Sequence, residues 1–210
     1  MKKRFNTINN TKFKSSYNIA PGKSVPVIIK NSPNKISLMK WGLIPFWAKD
    51  PQIGHKMINA RAEGIQNKPS FNVPIKTRRC LVPADGFYEW KKIKLEKKEE
   101  KFPWFIGLKT NKTFSMAGIY DIRKDAQGKE IQSYAIITTN SNELLKPIHE
   151  RMPVIIKKRH ENLWLDRNSK LSTILKLLIP YPENQMKGYP VSFLVNNPGN
   201  NSKDLIKELR

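Results

Sequence analysis

The sequence predicts an α+β fold: a single domain with a strongly curved, β-rich (barrel-like) sheet core and a few peripheral helices. Three observations carry that reading. Eight segments are short, rich in β-branched and aromatic residues, and separated by Pro, Gly, Asn or Asp, as strands of a folded-over sheet are. Only three stretches carry a helical pattern. At 210 residues the chain fits one large domain or two small ones, and one domain of that size buries a core without disulfide staples.

In chain order, the strand segments are "VPVIIK" at 25–30, "ISLMKWG" at 36–42, "RCLVP" at 79–83 and "GFYEWKKI" at 86–93. "PWFIGLK" at 103–109, "TFSMAGIY" at 113–120, "SYAIITT" at 133–139 and "PVIIK" at 153–157 complete the set. Helices are expected at 140–150, capped by Asn140 or Ser141, and at 158–167 and 170–178. The charged run from Lys91 to Lys101 reads as a solvated hairpin loop between two aromatic strands. The final "NNPGNNSKDLIKELR" reads as a loop ending in a short helix, which divides the chain into a domain over 1–195 and a tail over 196–210. Many strands and few helices fit one layer of helices against a curved sheet.

Composition narrows the function classes. The one cysteine, Cys80, excludes an internal disulfide framework and suits a reducing compartment. It sits in an apolar run and reads as a buried structural thiol. No window approaches the roughly 18 uninterrupted apolar residues of a membrane span, and "MKKRF" has no apolar stretch behind it, unlike a secretory signal. The expectation is a soluble protein of the cytoplasm, associated with the nucleoid. A net charge of +22, spread along the whole chain, suggests a polyanion partner, nucleic acid being the commonest. Abundant Lys, Asn and Ile would also follow from AT-rich coding.

The stretch "PADGFYEWKK" raises the sharpest chemical question. On a strand, Phe87, Glu89 and Lys91 share one face, and Tyr88 and Trp90 the other. A carboxylate among three large aromatics is either a solvent-facing strand position or a group whose burial serves a purpose. Gly-rich phosphate loops, Cys/His metal spacings and nucleophile elbows are missing. His149 and Glu150 lack the second histidine of a zincin helix, so neither a metal nor a cofactor is expected. Other polar residues lie among Pro, Gly and aromatics: Asn18 before a Pro-Gly turn, Asn59, Arg61 and Glu63 at alternating spacing, and His149 ahead of a strand. Trp41, Pro45, Phe46 and Trp47 sit on a loop, where large apolar side chains need either a core or a partner. Each has an ordinary reading as well: turn former, core residue, salt bridge or helix end.

Together these residues resemble a family. "YNIAPG", "WGLIPFW", "NARAE", "RRCLVPADGFYEW", "AIITTNSN" and "IHERMPVI" occur in the order seen in SRAP (SOS response-associated peptidase) proteins, over about 17–156. The resemblance implies a protein that recognises abasic sites in single-stranded DNA. It also implies a nucleophile at the mature N-terminus, a cysteine whose α-amine forms a Schiff base with the ring-opened sugar and whose thiol closes a thiazolidine. An α-amine, with pKa near ~8, is available for attack at neutral pH. By motif, Glu89 takes the position of a glutamate beside that amine, and His149 that of a histidine assisting ring opening. Asn18 and Asn59 match pocket asparagines, Arg61 a phosphate contact, Thr138 a pocket threonine, and the loop from Pro45 to Trp47 a wedge that stacks on bases. A monomer is expected.

One departure follows from the same comparison. Lys2 stands where the family has its cysteine. Either "MKKRF" is a degenerate form of the family's opening, or "KKRFNTINN" matches a helix end that lies further along in relatives. The second alignment fits better, with the catalytic segment absent from the chain as written, crosslinking impaired and DNA binding retained. Whether the chain is an enzyme therefore stays open at this point. The competing readings are a basic single-strand-binding module without catalysis, and a peptidase confined to its own N-terminus.

Overall fold

The fold is built on the pairing of eleven strands, given by a computed structural model that describes residues 2–7, 11–31, 34–95 and 98–209. In chain order the elements are α1 (Lys2–Phe5), β1 (Ser24–Ile29), β2 (Lys35–Trp41), β3 (Asn59–Arg61), α2 (Asn72–Thr77), β4 (Arg79–Ala84), β5 (Gly86–Leu95) and β6 (Lys98–Leu108). They continue with β7 (Phe114–Lys124), β8 (Glu130–Asn140), β9 (Arg151–Pro153), β10 (Ile155–Ile156), α3 (Glu161–Leu165), α4 (Leu171–Leu175) and β11 (Met186–Pro190). Strands β7, β4, β1, β2 and β8 hydrogen-bond in that order, and β8 returns to β7, closing a barrel-like sheet of five strands. Strands β5, β6 and β11 form a separate antiparallel side sheet.

Period-two alternation sends each barrel strand's side chains into two different cores. Cys80 and Val82 of β4, Met116 and Tyr120 of β7, and Tyr134 and Ile136 of β8 pack with Val25, Val27 and Met39. The intervening Leu81, Ala117, Ile119, Ala135 and Ile137 pack with Trp164 and Leu165 of α3, Ile174 of α4 and Ile75 of α2. Both faces of the barrel wall are therefore dry, which is why β7 and β8 read as near-continuous apolar runs. Each large aliphatic side chain so buried contributes about 1.5–3 kcal/mol. The short helices are held by a buried cation. Arg79 donates to the carbonyls of Ile75 and Lys76 at the end of α2, and to those of Trp164 and Asp166 at the end of α3. These are carbonyls that a helix end leaves without an intrahelical donor.

The side sheet shares the first of those cores and has its own. Phe87, Trp104, Ile106 and Met186 pack with the barrel cluster, whereas Phe105 packs with Tyr17, Tyr88, Trp90, Tyr189, Val191, Val195 and Leu205. Phe87 and the pair Tyr88 and Trp90 thus fall on opposite faces, as alternation on β5 requires. The C-terminal residues are tied down here: Tyr88 Oη donates to the carbonyls of Tyr17 and Leu205, and Tyr189 Oη to that of Ile206.

Several local expectations change. The stretch 140–150 is a chain of tight turns, not a helix. Pro147 has no N–H to continue a helical ladder, and the cap is Asn142, whose Oδ1 accepts from the Leu145 N–H at 3.1 Å. The charged run 91–101 is strand on both sides of the β5–β6 turn, with Ile93 paired to Glu100; the expected loop residues 96 and 97 lie outside the described residues. So do Met1, 8–10 of the segment "KKRFNTINN", and Arg210. Strands β3, β9 and β11 and helix α2 were not expected, and the predicted helix at 158–167 is a 3-10 turn running into the five-residue α3. Cys80 is fully buried, as expected, and burial pushes its thiol pKa up.

Gly118 faces Cys80 inside the barrel, and a Cβ there would lie 2.7 Å from Cys80 Sγ and 3.0 Å from Val82 Cγ2. Gly118→Ala is expected to lose about 1–3 kcal/mol of stability through overpacking. Urea unfolding of the two proteins measures it, and an unchanged midpoint would mean the barrel interior has slack.

Candidate functional site

Strand β8 changes partners along its length. It pairs with β7 from Glu130 to Ile136, and with β2 at Ser133 and Tyr134. Beyond Ile136, β3 runs parallel on one side, matching Ala60 to Ile137 and Arg61 to Thr138. On the other side β9 matches Thr138 to Pro153 and Asn140 to Arg151. Ala60 is fully buried, so alternation leaves Asn59 and Arg61 on the exposed face of β3. Thr138, Asn59 and Arg61 are thereby brought side by side, with Thr138 itself largely buried.

Arg151 fixes this corner. Its guanidinium holds both oxygens of Glu63, at 2.9 and 2.7 Å, and also reaches Asn140 Oδ1 and the Thr138 carbonyl at 2.7 Å each. The hydrogen bond to Arg151 is the main cause that draws the Glu63 carboxyl below its ordinary pKa, against the opposing effect of burial. The same residue anchors His149 through its backbone. His149 Nδ1 lies 3.1 Å from the Arg151 N–H and 3.2 Å from the Arg151 carbonyl. A neutral imidazole accepts from the N–H there, leaving its proton on Nε2, and an imidazolium donates from Nδ1 to the carbonyl. One backbone unit therefore holds the ring in both protonation states.

Glu89 reaches the site from β5, on the face it shares with Phe87. It is half-buried, and burial raises its carboxyl above the usual pKa. The positive charge of His149 and the Trp90 N–H oppose that shift without cancelling it. A carboxyl made easier to protonate, beside an imidazole whose ring is held in place, forms a pair able to give and take protons. Among the described residues, no group of three or more His, Cys, Asp and Glu side chains comes together as a metal site.

The aromatic loop and Asn18 are placed separately. Pro45 is buried, while Phe46 and Trp47 are 57% and 49% exposed. Trp41 is half-buried, its Nε1 donating to the Ile58 carbonyl at 2.9 Å. Asn18 spends its amide N–H groups on the carbonyls of Val195 and Asn197, alongside the cluster that holds Tyr88 and Trp90.

With that geometry in place, comparison with known proteins is decisive. The family model described as SOS response associated peptidase (SRAP) matches residues 1–198. The chain belongs to the SRAP family. The abasic site processing protein YoaM of Bacillus subtilis is 45% identical over 196 residues, covering 92% of this chain and 85% of that protein. The rat abasic site processing protein HMCES is 33% identical over 231 residues, covering 93% of this chain and 65% of the relative. A crystal structure of a Bacteroides thetaiotaomicron protein superposes with a TM-score of 0.81 at 33% identity, over 90% of this chain and 82% of that one.

For this SRAP chain, sequence reasoning missed Arg151, the residue with the most polar contacts at the site. The signal was present, because Glu63 and Arg151 both fall inside the family motifs "NARAE" and "IHERMPVI". Glu89 gives a stability test. A carboxyl with a raised pKa favours its protonated form in the folded state, so folded-state stability falls as pH rises from the ordinary carboxylate value through the raised one. Glu89→Gln removes that penalty. The variant is expected to be more stable than the parent at neutral pH and equal to it at pH ~3, below the ordinary Glu value. Urea unfolding at both pH values measures this, and a less stable variant at neutral pH would mean the ionised carboxylate is well paired.

Proposed function

We propose that the chain binds abasic sites in single-stranded DNA as a monomer in the cytoplasm, associated with the nucleoid. The observation that carries the proposal is the meeting of Glu89 with His149, whose ring is held by Arg151, the residue that also grips Glu63 and the carbonyl of Thr138 paired to Arg61. It is supported by relatives named abasic site processing proteins and by a net charge of +22. Arg61 contacts a phosphate, and the exposed Phe46 and Trp47 offer faces on which bases stack. Asn59 and Thr138 line the sugar pocket, and Asn18 braces the wall beside it.

The chemistry suits a ring-opened sugar. His149 exchanges a proton with the sugar hydroxyl as the ring opens. An amine then adds to the aldehyde carbon, and the carbinolamine loses water as Glu89, protonated, donates to the departing hydroxyl; the product is a Schiff base. Cys80, fully buried in β4, does not supply a thiol to that adduct.

Fluorescence anisotropy with an abasic oligonucleotide over a range of salt concentrations tests the binding. Arg61→Gln is expected to weaken affinity and to lower the slope of log K against log salt by about one. An unchanged slope would remove Arg61 from the contact. Borohydride trapping on a denaturing gel tests the Schiff base. A trapped adduct lost in Glu89→Gln supports the chemistry, and equal binding of intact and abasic strands with nothing trapped reduces the chain to a single-strand-binding module.

A further inference from the structure

Two large aromatic side chains stand exposed on a loop whose backbone is held at almost every turn. The Ile44 N–H donates to Ser133 Oγ at 2.7 Å, and the Phe46 N–H to Asp121 Oδ2 at 3.0 Å. The Ala48 N–H closes a turn onto the Pro45 carbonyl at 2.9 Å. On the far side, Arg123 spans two carbonyls, Nε to Ala48 at 2.8 Å and Nη2 to Lys49 at 3.1 Å. Asp121 is 1% exposed and is itself fixed by Arg78 and by the Ile122 N–H. Asp50 then caps the 3-10 turn that follows, accepting from the Gln52 N–H. At the loop's entrance Gly42 has φ +126°, and a Cβ there would lie 2.6 Å from the Gly54 carbonyl oxygen, so the two ends of the segment are packed backbone to backbone.

Ser133, Asp121 and Arg123 all belong to the β7–β8 hairpin. Adjacent exposed aromatics offer faces on which bases stack, and a loop ordered in advance saves the entropy of ordering it on binding. We infer that Asp121 and Arg123 are positioning residues that hold Phe46 and Trp47 as a preformed ledge for stacking on bases. This rests on the DNA reading above. Arg123 acts through its two carbonyl acceptors, not by neutralising a phosphate. Its contribution therefore carries no counterion release and depends on the aromatic side chains being present.

The experiment separates these roles with Arg123→Gln and Arg123→Lys, since Asp121 variants leave Arg78 without its buried partner. Both Arg123 variants are expected to bind an abasic single-stranded oligonucleotide about three- to tenfold more weakly, with an unchanged salt slope and near-parental melting. Lysine keeps the charge but cannot span two carbonyls. In a Phe46→Ala, Trp47→Ala background, Arg123→Gln is expected to change nothing further. Restoration of affinity by lysine, a reduced salt slope, or a full effect without the aromatics would make Arg123 a phosphate contact and overturn the proposal. Chymotryptic cleavage after Phe46 and Trp47, without DNA, reads the clamp alone, and faster cleavage in both variants is expected. If the parent binds no DNA, the functional reading fails while this readout still decides the clamp; unchanged cleavage would overturn it.

Discussion

An eleven-residue strand in a protein interior must pair every backbone N–H and C=O it buries, and the architecture follows from how β8 meets that demand. Its first half completes the barrel against β7 and β2. Its second half has left the barrel and is paired by the three-residue strands β3 and β9 with the residues that flank them, Val154 donating to the Ile137 carbonyl and Ala62 to that of Thr138. Those two short strands are where Asn59, Arg61 and Arg151 sit, and His149 lies in the turns that return the chain to β9. The polar corner is the means by which the backbone of β8 is satisfied once it has parted from β7.

Acidic residues are scarce in this chain, 17 against 39 basic ones, and three of them each anchor a guanidinium group. Glu161 receives both guanidinium nitrogens of Arg4 and the hydroxyl of Ser115, pinning α1 to α3 and β7. Asp121 holds Arg78 and the aromatic loop. Glu63 holds Arg151. Glu161 and Asp121 are buried and further hydrogen-bonded, the setting in which loss of one partner costs far more than the pair's net worth, whereas the Glu63 side chain is about half exposed. Among the described residues, Arg79 is buried on carbonyls alone, without a carboxylate partner in hydrogen-bond contact.

The sequence was most legible where local pattern and burial agree. Strands β1, β2, β4, β5, β7 and β8 are long enough for β-branched and aromatic residues to declare themselves, and the alternation on β5 correctly parted Phe87 from Tyr88 and Trp90. Strands β3, β9 and β11 were invisible because their short length carries no period, and their existence depends on what β8 and β6 leave unpaired. The turns at 140–150 read as a helix because "NELLKPIHE" is built of helix formers, and Pro147 settled the matter against them. Family motifs brought Glu89, His149, Asn59 and Arg61 into view. The hub role of Arg151 was hidden because its acceptors lie on two segments far apart in sequence, Glu63 after β3 and Thr138 with Asn140 on β8.

The barrel also encloses the chain's one thiol, Cys80, against Gly118 and Val82, with no route to solvent while the five strands stay closed. A thiol so placed reacts only in molecules whose sheet has opened. The rate at which Cys80 is alkylated under native conditions is therefore a clock for global opening, built into the protein and separate from its polar corner. It would report whether a ligand seated at the far end of β8 tightens the whole barrel or only the loops around it.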